Sequence, residues 1–176
     1  MAGIDMIVPA VSLSEAQAFA RVETGEEEAL LAGIVRSASA LCESFIGQVL
    51  IERPFDEHLS ASSQWQRLEN SPVRSIGSLD LVAPDGSASI IPTGEFEIDI
   101  DNRGDGWVRL KEQASGRIRV SGTAGMAVDP NGVPEPLRHG ILRLVAHLFQ
   151  GRDGDGGDPP AAVTALWRPY RRMRLA

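Results

Sequence analysis

The spacing of apolar residues changes period twice along the 176-residue chain, and this change constrains the fold more than any other feature. Over residues 25–47 apolar side chains recur at three- and four-residue intervals, which is typical of one face of a helix. Over residues 50–122 they alternate and turn residues interrupt them, which is typical of short antiparallel strands. Helical spacing returns over residues 134–150. The sequence therefore predicts an α+β chain, a small helical bundle with an inserted antiparallel β subdomain.

Three core helices are predicted, over residues 12–22, 25–47 and 134–150. Ser12 and Glu15 form an S-x-x-E capping box at the start of the first helix, and Thr24 and Glu27 repeat this pattern before the second. Gly47 fits the C-terminus of the second helix, because glycine readily adopts the left-handed conformation that ends helices. The predicted buried stripe of the second helix comprises Leu30, Leu31, Ile34, Val35, Ala38, Leu41, Cys42, Phe45 and Ile46.

The β insertion, residues 50–122, is predicted to contain about five or six short strands. Alternation is clearest where Phe96, Ile98 and Ile100 are interleaved with acidic residues, which predicts a strand with one wet face. The other predicted strands lie at 65–68, 73–82, 89–91, 107–110 and 117–120.

Charge is distributed unevenly about a formal net charge of −7. Residues 1–60 hold ten acidic and three basic side chains, whereas residues 166–176 hold four arginines and no acid. An acidic body repels phosphate, so nucleic acid is not the obvious partner. The single cysteine, Cys42, cannot form a disulfide within the chain. Because the sequence has no apolar run of roughly 18 residues and no signal peptide, we expect a cytoplasmic protein without a membrane span.

No motif assembles an active site, so we expect no catalytic residue, cofactor or metal. Residues 99–104 resemble the start of a calcium loop, but Arg103 and Leu110 occupy positions that require oxygen ligands. His139 and His147 are eight residues apart on a predicted helix, which turns their side chains out of register for one metal.

The C-terminal segment combines a hinge, residues 152–160, with a tail, residues 161–176, that is rich in arginine and aromatic residues. Trp, Tyr and Arg are enriched at binding hot spots, and the hinge favours a binding arm over a segment that completes its own core. Two alternatives remain open. Val163, Leu166 and Trp167 could instead cap the helical core, or the arginines could make the tail a nucleic-acid-binding module.

Six motifs follow one another in a characteristic order along most of the chain. They are Val11–Ala16, Glu43–Gly47, Ser71–Ile76, Val133–Arg138, Ala146–Phe149 and Pro169–Arg172. In this order they resemble the head-tail connector proteins, also called adaptor or head-completion proteins, of tailed bacteriophages and gene transfer agents.

The resemblance implies a structural protein, not an enzyme, that joins the head of a particle to its tail. Members of the family form a ring of about twelve copies. The ring docks on the portal protein after DNA packaging and receives a stopper or tail-completion protein. For this chain the resemblance implies that DNA passes only transiently through the channel and that no membrane takes part. It also implies that the protein belongs to the neck of a virion or gene transfer agent particle assembled in the host cytoplasm.

A connector of this kind is expected to have a connector domain, residues 1–151, followed by the hinge and a loose arm that becomes ordered on the portal. The glycines expected to give the hinge its reach are Gly154, Gly156 and Gly157. The residues expected to contact the portal are Val163, Leu166, Trp167, Arg168, Pro169, Tyr170, Arg171, Arg172, Arg174 and Leu175.

Overall fold

Residues 8–22, 27–151 and 160–172 are described by the computed structural model. The chain forms two compact units: a helical unit, residues 1–51 and 127–176, and a β unit, residues 52–126. The described α-helices all belong to the first unit and the strands to the second. The predicted α+β class, with a β insertion between helices, is therefore confirmed.

The helical unit is organised around one central helix, α3. Its described elements are α1 (Leu13–Ala20), α2 (Glu28–Ile46), α3 (Glu135–Gln150) and α4 (Ala161–Trp167), with 3-10 turns at Pro130–Gly132 and Arg168–Tyr170. Helix α3 packs against α1, α2 and α4. The buried residues of α3 include Leu137, Ile141 and Leu144, and those of α2 include Leu31 and Val35, so the apolar face of each helix is removed from water.

Two predicted helix termini are confirmed and one differs. At α1 the Ser12 backbone N–H donates to Glu15 Oε2 (2.7 Å) and the Glu15 N–H donates to Ser12 Oγ (3.2 Å), which completes the capping box. Gly47 ends α2 with φ 68°. The start of α2 is later than predicted, because Glu27 lies in a turn and the helix begins at Glu28. Thr24 lies outside the described residues.

The buried stripe of α2 is narrower than the sequence predicted. Leu30 and Leu41 are 48% and 49% exposed, whereas Leu31, Val35 and Cys42 are buried. Periodicity alone assigns flanking leucines to the apolar face, whereas the buried residues of α2 are Leu31, Val35, Ala38, Ser39, Cys42 and Ile46.

Helix α2 is also long and apolar enough, by length and composition alone, to span a membrane. This observation is weak evidence, because the core helices of globular domains pass the same test. The packing of α2 against α1, α3 and α4 is the packing of a core helix. The absence of a membrane association stays a prediction.

The β unit contains two antiparallel sheets. The described strands are β1 (Arg53–Ser60), β2 (Gln66–Arg67), β3 (Val73–Val82), β4 (Ala88–Ile90), β5 (Phe96–Ile100), β6 (Gly106–Leu110) and β7 (Arg117–Ala124). One sheet has the order β1-β7-β3-β4 and the other has the order β2-β6-β5. The core side chains Leu79, Val108, Ile118 and Val120 are fully buried.

Strand β1 was absent from the predicted strands because a charged residue occupies one of its inward positions. Glu57 is only 9% exposed. Its carboxylate accepts the backbone N–H groups of Glu69 (2.7 Å) and Asn70 (3.3 Å) and the Asn70 side-chain amide (3.1 Å). These bonds satisfy a carboxylate that would otherwise be costly to bury. A prediction from alternation treats Glu57 as polar and therefore exposed, so it does not identify strand β1.

Candidate docking surface at the C-terminus

Helix α4 is seated on the helical unit by two buried side chains. Val163 and Trp167 are 0% and 3% exposed. The Trp167 indole N–H donates to the Leu137 carbonyl oxygen (3.2 Å), and its ring lies 5.8 Å from that of Phe45. A Cβ atom at Gly140 would overlap the indole, so glycine at this position of α3 makes the close approach possible. Together these contacts fix α4 on α3.

The turn after α4 is held at the C-terminal end of α2. The Gln48 side-chain amide donates to the Tyr170 carbonyl oxygen (2.6 Å), and the Arg172 N–H donates to the Ile46 carbonyl oxygen (2.8 Å). The Arg171 guanidinium carbon lies 5.5 Å from the centre of the Phe45 ring, within range of a cation–π interaction. Residues 168–172 are therefore held by backbone as well as side-chain contacts.

The outward side of this segment is basic. Arg168, Pro169 and Arg171 are exposed, Leu166, Tyr170 and Arg172 are half-buried, and residues 160–172 include no acidic side chain. We call these six residues the C-terminal surface. It combines the arginine and aromatic side chains that are common at protein–protein interfaces.

The structure corrects the expectation of a tail that is loose from Ala161 onward. Residues 160–172 pack on α2 and α3, and Pro160, assigned to the hinge, is the N-cap of α4. Val163 and Trp167 are buried, which leaves them without the accessible surface that contact with a portal requires. They cap the helical core, as the first alternative reading of the tail held. The expected sites that lie outside the described residues are Gly154, Gly156, Gly157, Arg174 and Leu175.

Gly140 is the structurally important residue that motif analysis missed. It lies between Leu137 and Ile141 on the buried face of α3. A glycine on the buried face of a helix lowers helix stability, so its presence signals a close approach by another group. The glycine on the buried face could be recognised from the sequence, but the residue that packs against it, Trp167, could not.

A shallow cleft of about 340 Å³ lies beside Leu166. Arg138, in its wall, bonds to the carboxylates of Glu15 and Glu135, the latter at 2.7 Å. The pKa of Glu15 is lowered chiefly by the hydrogen bond from the Ser12 backbone N–H, and further by the Ser12 hydroxyl and the charge of Arg138. Because two carboxylates are paired with the single guanidinium, the cleft is a poor site for an anion. Among the described residues no group of three or more His, Cys, Asp or Glu could hold a metal.

Solved structures of gene transfer agent particles contain chains that are similar to this one. A chain in the neck of an empty gene transfer agent particle, computed with C6 symmetry, matches with a TM-score of 0.77 and 25% identity, over 95% of this chain and 92% of that one. A chain in the virion of the native particle matches with a TM-score of 0.75 and 24% identity, again over 95% and 92%. A third, in the native neck computed with C12 symmetry, has a TM-score of 0.72 and 22% identity, over 95% and 91%.

The resemblance seen in the sequence motifs is thus confirmed at the level of the fold, over nearly the whole chain. No protein-family model and no curated protein matches this chain.

Proposed function

We propose that this protein is a structural component of the neck of a gene transfer agent or tailed phage, where it forms a ring that joins the head to the tail. The observation that carries this proposal is the match to a neck chain over 95% of the residues with a TM-score of 0.77. Both units of the chain are included in a match of that extent. The C6 and C12 symmetries of the matched necks favour assembly in a closed ring.

Within this role, the C-terminal surface is the part of the chain that we propose contacts the portal. Arg168 and Arg171 would pair with portal carboxylates, and Leu166, Pro169 and Tyr170 would supply apolar area. Buried Val163 and Trp167 would act indirectly, by holding α4 in place. Arg172, and Arg174 and Leu175 beyond the described residues, extend the same basic segment.

The neck role is tested by deleting the gene and examining the particles by electron microscopy. We expect DNA-filled heads that carry no tails, because the link between them is missing. Tailed particles of normal appearance from the deletion strain would contradict the proposal.

The portal contact is tested separately with the double substitution Arg168→Ala and Arg171→Ala, using purified portal protein from the same particle. Loss of two partly solvated ion pairs at about 0.5–1 kcal/mol each predicts roughly a five- to thirtyfold weaker Kd. A matched control replaces two other exposed arginines, Arg36 on α2 and Arg117 on β7. Equal weakening by the control would indicate a general charge effect and would contradict a specific surface.

The alternative, a nucleic-acid-binding module, gains no support from the comparisons. The chain carries a formal charge of −7, and the basic residues of the C-terminal surface are few. We expect weak affinity for duplex DNA that does not depend on Arg168 or Arg171. Tight, steeply salt-dependent binding that is lost in the double variant would favour the alternative.

A further inference from the structure

Strand β5 is the last strand of the sheet β2-β6-β5, so one of its edges pairs with no other strand in the described part of the chain. Backbone bonds at its two ends join Lys111 N–H to the Glu95 carbonyl (2.9 Å) and Asp101 N–H to the Asp105 carbonyl (3.0 Å). Hydrogen-bonded pairs alternate along an antiparallel ladder, so the odd-numbered residues of β5 direct their N–H and C=O groups toward β6. The groups directed toward the open edge are those of Phe96, Ile98 and Ile100.

No other described residue forms a backbone hydrogen bond with the N–H or C=O groups of these three residues at the open edge. The side chains of Ile98 and Ile100 are 44% and 37% exposed, although Val108, which is paired with Ile98, is fully buried. The apolar face of the sheet therefore continues to the open edge and ends there uncovered. An added strand would cover it.

The opposite face of β5 is acidic, with Glu95, Glu97, Asp99 and Asp101 in alternate positions. Glu97 Oε2 accepts from Arg109 Nε (2.7 Å), and the Arg109 guanidinium carbon lies 4.7 Å from the centre of the Trp65 ring. Asp99 is exposed. A strand placed beside β5 would therefore meet apolar side chains on one face and negative charge on the other.

This charge pattern disfavours pairing between two copies of β5. In an antiparallel pair of identical strands, acidic residues would stand opposite acidic residues, and like charges directly opposite each other destabilise a sheet. Charged side chains on an edge strand generally prevent association of this kind. The same carboxylates would attract a strand that carries lysine or arginine at alternate positions.

We propose that the open edge of β5 binds an extended segment of another protein by antiparallel strand addition, and that this segment alternates apolar with basic residues. Its apolar side chains would stand opposite Phe96, Ile98 and Ile100 and would complete the exposed edge of the core. Its basic side chains would lie beside Glu97 and Asp99. Strand addition gains affinity from backbone hydrogen bonds and specificity from alternate side chains, and both elements are present here. The proposal does not depend on a role in a particle neck.

The test uses the full chain and a nine-residue peptide in which isoleucine or valine alternates with lysine. Hydrogen exchange followed by NMR should show fast exchange of the Phe96, Ile98 and Ile100 amides in the free protein and slow exchange once the peptide is bound. The Glu97 and Asp99 amides, already bonded to β6, should change little. A peptide with glutamate in place of lysine should bind at least about tenfold more weakly. Absence of binding, or binding without protection of the three amides, would overturn the proposal.

Two N-methylated versions of the peptide test the geometry without altering the protein. In an antiparallel ladder the residues directly opposite Phe96, Ile98 and Ile100 exchange both backbone bonds with them. Methylation of the apolar residues should therefore weaken binding about tenfold or more. Methylation of the basic residues should have little effect, since their amides face away from β5. The reverse result would contradict the proposed register.

A substitution in β5 checks the same edge from the other side. Ile98→Pro removes a donor that faces the open edge and no bond to β6, and proline is tolerated at such edge positions. We expect it to abolish peptide binding, whereas Ile98→Val should preserve binding; an unchanged melting temperature confirms that both variants fold. If the wild-type chain forms a dimer that Ile98→Pro dissociates, a second copy occupies the edge and the proposal is wrong.

Discussion

Replacement of Trp167 by alanine is expected to lower the free energy of unfolding of the helical unit by about 3–5 kcal/mol, the usual range for removing a buried tryptophan. The indole is 3% exposed, packs over Gly140 and donates to the Leu137 carbonyl, so its loss leaves a cavity between α3 and α4. Trp167→Phe retains most of the apolar area and loses the hydrogen bond, for which about 1–2 kcal/mol is expected.

The assay is urea and thermal denaturation of the full chain, followed by far-UV circular dichroism. A loss of this size should lower the melting temperature by roughly 10 °C in a chain of this length. Trp65, which is 41% exposed, is the matched control. Its replacement removes mainly a cation–π contact with Arg109, for which less than about 1 kcal/mol is expected. A cost for Trp167→Ala no greater than that for Trp65→Ala would contradict the burial of Trp167 against α3.

Three further predictions concern packing, pH and exchange. Gly140→Ala should destabilise by about 1–3 kcal/mol through overpacking. Gly33→Ala on α2 should stabilise by up to about 1 kcal/mol, because its added methyl group would meet only the end of the Arg36 side chain, at 3.9 Å; denaturation measures both. The pKa of Glu15 is lowered in the folded chain, so the contribution of its carboxylate to the free energy of unfolding is present at neutral pH and is lost as the pH falls through that pKa. The stability difference between wild type and Glu15→Gln, below about 1 kcal/mol, should therefore shrink on acidification. The Arg172 amide, bonded to Ile46, should exchange slowly in the free protein; fast exchange would indicate a loose tail.

The sequence predicted those parts of the fold that depend on local signals. The Ser12 capping box, the left-handed Gly47 and the alternation of β5 each follow from residues within a few positions of one another. The assignment of strands to two sheets could not be predicted, because it depends on pairing such as that of β1 with β7, which are far apart in the chain. Strand β1 itself was missed because the hydrogen bonds to buried Glu57 come from residues after the strand.

The candidate site shows the same limit. Composition identified the arginine and aromatic residues of the tail, and four of them are exposed or half-buried on the C-terminal surface: Arg168, Tyr170, Arg171 and Arg172. Whether an aromatic residue faces a partner or its own core depends on tertiary contacts. For Trp167 these are Gly140, Leu137 and Phe45, on two other helices, and no pattern within the tail contains that information.

The seating of α4 also changes how docking would operate energetically. A tail that becomes ordered only on its partner must offset about 1–2 kcal/mol of backbone entropy for each residue it fixes, so weak surface ion pairs could hardly hold it. Here the backbone at Tyr170 and Arg172 is already bonded to Gln48 and Ile46 in the folded chain. Folding of the helical unit supplies the ordering, and the exposed Arg168 and Arg171 can then contribute their modest energies to binding almost in full. In the proposed portal contact, the buried half of the segment would thus allow a small basic surface to bind without a large ordering cost.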